Sequence, residues 1–98
     1  MADTAGKSRV AVVTGANRGL GLETCRQLSG QDFTVVLTAR RENDARDAAE
    51  KIGTEHLQLD VTYAESIEHA ASELRSRHGH IDVLVNNAAP TWMTPSAR

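Results

Sequence analysis

Short apolar runs alternate with amphipathic segments along this chain, and the alternation limits its possible folds more than any other feature. Four apolar runs fit strands, and the three segments between them carry apolar residues at helical spacing. The first run, Val10 to Val13, is continuously apolar, which is typical of a strand buried on both faces of a parallel sheet. Strands that alternate with helices through short connections form right-handed βαβ units. The pattern predicts an α/β fold: a parallel sheet with helices on both faces.

Turn and capping residues set the predicted boundaries. Strands are predicted at 10–13, 33–37, 56–59 and 81–85. The first helix follows Gly21 and ends at Ser29-Gly30, and the second runs from 43 to 52 and ends at Gly53. The third starts from a capping box at 62–65 and is closed by His78-Gly79-His80. The apolar faces of the three helices are expected to be Leu22, Cys25 and Leu28; Ala45, Ala48, Ala49 and Ile52; and Ile67, Ala70, Ala71 and Leu74.

Length, charge and cysteine content exclude several classes of protein. The chain has 98 residues, enough for one domain, and a formal net charge of -2, too balanced for an electrostatic nucleic-acid or membrane binder. Its single thiol, Cys25, excludes an intramolecular disulfide and a cysteine zinc site, and we expect a small buried apolar group there. No apolar run is long enough to span a membrane. A reducing, cytoplasmic location is expected.

The first predicted strand leads into a glycine-rich turn, Thr14-Gly15-Ala16-Asn17-Arg18-Gly19-Leu20-Gly21. A turn of this kind before a helix suits phosphate, because the helix amino terminus presents unpaired N–H groups and the positive end of the helix dipole. A Walker A loop is excluded because Leu20-Gly21-Leu22 stands where Gly-Lys-Ser/Thr is needed. The G-x-G-x-x-G fingerprint is excluded by Thr24.

The turn has the form T-G-x-x-x-G-x-G, and three further motifs fall in register with it. They are Ala39-Arg40 after the second strand, Asp60-Val61 after the third, and Asn86-Asn87-Ala88 after the fourth. With these motifs, residues 9 to 89 resemble the short-chain dehydrogenase/reductase family, in its carbonyl reductase-like branch. The resemblance implies the amino-terminal half of a Rossmann fold with strand order 3-2-1-4. Ala89 departs from the pattern, since the family has glycine there.

The resemblance also implies a nicotinamide cofactor site. In the family, the aspartate after the third strand bonds the adenine, and the Asn-Asn-Ala segment supports the sheet and lies along the adenosine ribose. Ala39 stands where an NAD site would have a carboxylate, and Arg18 and Arg40 are positioned to meet a 2'-phosphate, so NADP is predicted. The alternative for both arginines is an ordinary solvated charge, and Arg41 is open between cofactor binding and pairing with Glu42 or Asp44. The expected cofactor-binding residues are Gly15, Asn17, Arg18, Gly19, Leu20, Gly21, Arg40, Asp60, Val61, Asn87 and Ala88.

The family's catalytic pair, Tyr-x-x-x-Lys, is absent from the sequence. The single tyrosine, Tyr63, is followed four residues later by Ile67, and the two lysines are Lys7 and Lys51. We therefore expect an amino-terminal fragment that binds cofactor weakly and catalyses nothing, with a carbonyl or alcohol substrate only in an intact form. Its expected parts are a leader (1–8), an NADP-binding half-domain (9–89) and a disordered tail (90–98) that contains Trp92. Self-association is expected through the exposed fourth strand.

Two other functions remain open at this stage. The first is a non-catalytic, truncated NADP-binding or interaction protein. The second is an S-adenosylmethionine methyltransferase, which Ala39-Arg40 disfavours because such sites hold the cofactor ribose with a carboxylate after the second strand. A metal site built from His69, His78 and His80 is disfavoured because no histidine pair has helical i,i+4 spacing and no thiolate could assist.

Overall fold

The structure, a computed structural model, describes residues 9–87, which form four strands and three helices. The strands are β1 (Arg9–Val13), β2 (Phe33–Ala39), β3 (Glu55–Gln58) and β4 (Val83–Val85), and the helices are α1 (Gly19–Ser29), α2 (Glu42–Ile52) and α3 (Ala64–Arg77). None of these helices is long and apolar enough to cross a membrane. The proposed leader, Ala88, Ala89 and the proposed tail lie outside the described residues.

The four strands form one parallel sheet in the order β3-β2-β1-β4, which confirms the predicted order 3-2-1-4. β1 pairs with β2 from Arg9 opposite Phe33 to Val13 opposite Leu37. On its other side β1 pairs with β4. Because β1 has a neighbour on each side and helices on both faces, its valines are buried, as the continuous apolar run predicts.

Each face of the sheet packs against its own helices. On one face, Val13, Val35, Leu37 and Ala39 pack with α1 and α2 through Cys25, Ala45, Ala48 and Ala49. On the other, Val10, Val12, Val36 and Leu57 pack with α3 through Ala70 and Leu74. Adjacent strand residues therefore enter different cores, as the pleat requires. The carboxyl ends of all four strands meet at one edge of the sheet.

The start of β4 differs from the prediction. Ile81 was expected to open the strand, but β4 begins at Val83 and Ile81 is 44% exposed. Between them, Asp82 makes a side-chain connection to β1. Its carboxylate Oδ2 accepts from the N–H of Val10 at 2.7 Å, and its own N–H donates to the Val10 carbonyl at 2.9 Å. The Asp82 carboxylate therefore accepts the hydrogen bond from the Val10 N–H, which a backbone carbonyl would accept in a regular pair of strands.

The predicted start of α3 is also wrong by one residue. Tyr63, and not Thr62, is the N-cap, and it makes no side-chain capping bond. The Thr62 hydroxyl instead donates backward to Asp60 Oδ1 at 2.6 Å. An aspartate side chain can accept hydrogen bonds from the residue two positions later, which closes a local turn. At Thr62 this turn competes with the capping box for the threonine hydroxyl. Ile67, expected on the buried face, is 46% exposed.

Candidate functional site

The segments that follow the four strands gather at the carboxyl edge of the sheet. They are the glycine turn after β1, Arg40 and Arg41 after β2, residues 59–63 after β3, and Asn86 and Asn87 after β4. In open α/β sheets this edge is where ligands bind. The edge brings together every described residue that the sequence predicts for the cofactor.

Two glycines of the turn are required by backbone conformation. Gly15 has φ of +59° and Gly19 has φ of +64°, in the left-handed region that favours glycine. A Cβ on Gly19 would meet no atom within 4 Å, so its requirement is conformational and not steric. These residues turn the chain sharply from β1 into α1.

The third glycine, Gly21, is required by packing. A Cβ there would lie 2.7 Å from Asn87 Nδ2, 2.8 Å from the Gly15 carbonyl oxygen and 2.9 Å from the Ala16 Cα. Distances this short are not tolerated when two of the neighbours are backbone atoms. The first turn of α1 thus lies directly against the turn it follows and against the segment after β4.

A hydrogen-bonded clasp joins the ends of β1 and β4. The buried Thr14 hydroxyl donates to Asn86 Oδ1 at 2.9 Å and accepts from the Asn87 N–H at 2.9 Å. Asn87 Nδ2 donates to the Gly15 carbonyl at 3.0 Å. We refer to Thr14, Asn86 and Asn87 as the clasp. The sequence motifs do not assign Thr14 and Asn86 to the site, although a threonine that ends a buried valine run is a signal that its hydroxyl has a partner.

The amino terminus of α1 is open to an anion. Its N-cap, Arg18, is extended and makes no side-chain capping bond, and the first turn carries no acidic residue. Unpaired N–H groups at a helix start, together with the helix dipole, attract negative charge. The start of α1 can therefore bind phosphate without a metal ion.

Two exposed arginines stand at the same edge, Arg18 before α1 and Arg40 after β2. Within residues 9–87, neither guanidinium has an ion-pair or hydrogen-bond partner. Within the same residues Arg41 has no ion pair with Glu42 or Asp44, the partners predicted for it, and Glu42 contacts His56 at 3.0 Å. With no partner in the described part of the chain, the Arg18 and Arg40 side chains are available to a phosphate.

The Asp60 carboxylate accepts hydrogen bonds from the turn that follows it. Its Oδ1 accepts from the Thr62 hydroxyl and from the Thr62 N–H, and its N–H donates to the Ser66 hydroxyl at 2.8 Å. The bonds from Thr62 lower the pKa of the Asp60 carboxyl, and the charge of Arg40 adds a smaller effect in the same direction. The carboxylate is therefore ionised at neutral pH and can accept a hydrogen bond from a ligand. Val61, next in the chain, is partly buried.

Other chemically active side chains lie outside this arrangement. Tyr63 is 66% exposed at the start of α3. Cys25 is fully buried, and burial raises its pKa to about 11, so it is not a thiolate at neutral pH. His78 contacts Glu55 and His80 contacts Asp82, and the described part of the chain holds no group of three ligands that could bind a metal.

Most of this chain matches known proteins. A family model described as short chain dehydrogenase matches residues 9–98, nine residues beyond the motif-based resemblance. Carbonyl reductase [NADPH] 3 of Homo sapiens is 47% identical over 91 residues, which cover 84% of this chain and 32% of that enzyme. The chain spans about a third of the length of the curated relatives it matches.

Solved structures share the fold. Menthone neomenthol reductase from Mentha piperita superposes with a TM-score of 0.81 at 36% identity, covering 88% of this chain and 33% of that one. A metagenomic short-chain oxidoreductase in complex with NADP has a TM-score of 0.78 at 36% identity, with coverage of 89% and 42%.

Proposed function

The chain belongs to the short-chain dehydrogenase family, and from that premise we propose that it is the NADP-binding portion of an oxidoreductase that reduces a carbonyl or oxidises an alcohol. One observation carries the choice of cofactor: Arg18 at the uncapped start of α1 and Arg40 after β2 have no partner within residues 9–87, and no carboxylate stands at the end of β2. A 2'-phosphate needs positive charge where a ribose 2'-hydroxyl would need an acceptor.

The described residues divide the work of binding among them. The start of α1 would hold the pyrophosphate, and Arg18 and Arg40 would hold the 2'-phosphate. Asp60 and Val61 would contact the adenine, while Asn87 would fix the chain along the adenosine ribose. Bound NADPH supplies the hydride, so the task of this chain is to bind and orient the cofactor.

Ala39 favours NADP because it has no carboxylate. It is the last residue of β2, it is 1% exposed, and its methyl group offers no acceptor. A carboxylate in this place would bond a 2'-hydroxyl and repel a 2'-phosphate. Ala39 followed by Arg40 thus favours NADP over NAD by removing a repulsion and adding an attraction.

The reaction is proposed from the relatives, whose names describe carbonyl reduction. In this family a tyrosine acts as general acid with a lysine four residues later lowering its pKa, and residues 1–98 contain no such pair. We propose that the 98-residue chain binds NADP(H) without turning substrate over.

A calorimetric titration of the chain with NADPH and with NADH tests the cofactor assignment. NADPH is expected to bind at least about tenfold more tightly, and Arg40→Asp is expected to reverse the preference, because charge-assisted bonds contribute on the order of 1.5 to 3 kcal/mol each. Arg75→Asp, the same change on an exposed arginine of α3, should leave both affinities unchanged. Equal affinity of the unmodified chain for the two cofactors would contradict the assignment.

The proposed lack of catalytic activity has a separate test. The purified chain with NADPH and a panel of aldehydes, ketones and quinones should oxidise NADPH no faster than buffer does. Turnover that disappears in Tyr63→Phe would overturn this part of the proposal.

A second candidate is a non-catalytic interaction protein, and the surface of β4 favours it. Within the described residues β4 is hydrogen-bonded on one side only, and Leu84 is 62% exposed. An unpaired apolar edge strand recruits another chain. Mixing this chain with a full-length relative and measuring that relative's activity separates the candidates, since a pure cofactor-binding portion leaves the activity unchanged.

A further inference from the structure

We propose that Gln58 is a positioning residue for NADP selectivity, acting through the backbone of Arg40. The inference rests on the proposed function and assigns a role to a residue that belongs to no glycine, arginine or asparagine motif. Its basis is one contact: Gln58 Nε2 donates to the Arg40 carbonyl at 2.8 Å across 18 positions of sequence.

The contact holds a very short connection. β2 ends at Ala39 and α2 begins at Glu42, so Arg40 and Arg41 alone join the two elements. Gln58 is the last residue of β3 and lies opposite Ala39 in the parallel register. The Ala39 carbonyl accepts from the Leu59 N–H at 2.8 Å, and the next carbonyl, that of Arg40, accepts from Gln58. The end of β3 therefore donates hydrogen bonds to two successive backbone carbonyls, those of Ala39 and Arg40. Arg40 is the residue proposed to bind the 2'-phosphate.

Among the described residues, none forms an ion pair or hydrogen bond with the Arg40 guanidinium. The Asp60 carboxylate acts on Arg40 through its charge, and its Oδ1 accepts two bonds from Thr62. Arg40 thus combines a fixed backbone with an unpaired guanidinium. Fixing a ligand-binding group before the ligand arrives lowers the entropy lost on binding.

This arrangement predicts an effect confined to the 2'-phosphate. Without the Gln58 bond, Arg40 and Arg41 sample more conformations and Arg40 loses orientation. NADPH, which uses Arg40, should bind more weakly, whereas NADH, which lacks the phosphate, should not. A purely structural Gln58 would weaken both cofactors equally.

The test titrates the chain with NADPH and NADH by calorimetry, comparing Gln58→Met with the unmodified protein. Met keeps the length of the side chain and removes its donor. The loss of one hydrogen bond predicts a roughly twofold to tenfold weaker affinity for NADPH and a change below about twofold for NADH. Gln58→Leu, which is also unable to donate and adds no charge near the 2'-phosphate, should lose about as much and carries the test if Gln58→Met does not fold. Gln27→Met, on the exposed face of α1, is the matched control and should change neither affinity.

A double-mutant cycle with Arg40→Met identifies the route of the effect. In the Arg40→Met background, Gln58→Met should produce no further loss of NADPH affinity. A full additional loss, an equal loss for both cofactors, or no loss in the single variant would each overturn the role of Gln58. An unmodified chain that binds both cofactors equally would instead contradict the proposed function, so the two failures are distinct.

Discussion

At the scale of single residues, the glycine turn shows that one motif can contain unrelated physical requirements. Gly15 and Gly19 adopt positive φ, whereas Gly21 is needed because no space remains for a Cβ. A Cβ on Gly21 would also lie 2.7 Å from Asn87 Nδ2, so the first turn of α1 packs close to the clasp. The site is therefore built by packing as well as by backbone conformation.

Gly21→Ala is expected to destabilise the chain by about 1 to 3 kcal/mol, because the added methyl group must displace backbone atoms of Gly15 and Ala16. Chemical denaturation measures the loss. The matched control is Gly30→Ala, where φ is -82° and the nearest atom lies 3.5 Å away. A Gly21→Ala variant as stable as Gly30→Ala would show that α1 does not lie as close to the turn as described.

Thr62→Val is expected to raise the pKa of Asp60 toward its ordinary value, since the Thr62 hydroxyl bond is the main cause of its depression. The folded-state pKa lies below the unfolded one, so this interaction stabilises the fold above the unfolded pKa, and its contribution is lost as pH falls through the folded pKa. Carbon-detected NMR of the Asp60 carboxyl follows the titration. Thr54→Val, which alters a buried hydroxyl without a partner, should leave that titration unchanged.

At the scale of elements, the periodic segments were predictable and their ends were less so. Ala45, Ala48 and Ala49 recur at helical spacing and are all buried, because helical periodicity is a local property. Gly53 ends α2 in the left-handed conformation, as a terminal glycine predicts. The start of α3 was missed because Thr62 had two possible partners, a helix N–H ahead of it and Asp60 behind it.

The clasp and the Gln58 contact show what a single sequence cannot supply. Thr14 and Asn87 are 73 positions apart, and no spacing rule relates two loops that meet only after the sheet has formed. The family resemblance marked Asn87 as a site residue without showing which hydroxyl holds it. Contacts between the ends of different strands could therefore be identified only from the structure.

β4 is the element through which we expect the chain to self-associate as its concentration rises. Its apolar residues and its outer edge, which no described strand pairs, favour pairing with a second copy, and Leu84 adds an exposed apolar side chain. Leu84→Lys should shift the chain toward monomer in sedimentation equilibrium, because an exposed charge opposes strand pairing. Leu20→Lys, at the 75% exposed Leu20 of α1, serves as control and should not change the association. An unmodified chain that is monomeric at all concentrations would contradict this expectation.

At the scale of the whole molecule, the two edges of the sheet have different chemistry. The carboxyl edge carries the open start of α1 together with Arg18 and Arg40, which have no partner among residues 9–87. Away from it, the Glu55 carboxylate of β3 contacts both Arg77 and His78 at the end of α3. Positive charge next to free backbone donors binds anions, whereas the Arg77 guanidinium already contacts the Glu55 and Glu73 carboxylates.

NMR mapping of the chain during an NADPH titration tests the central claim most directly, because it reports where the cofactor binds. The account predicts that the amide signals of residues 15–21, Arg40, Asp60, Val61 and Asn87 shift with NADPH, while those of Arg77 to His80 do not. Saturable shifts confined to the end of α3, or none at any NADPH concentration, would contradict the assignment of the carboxyl edge as an NADP site.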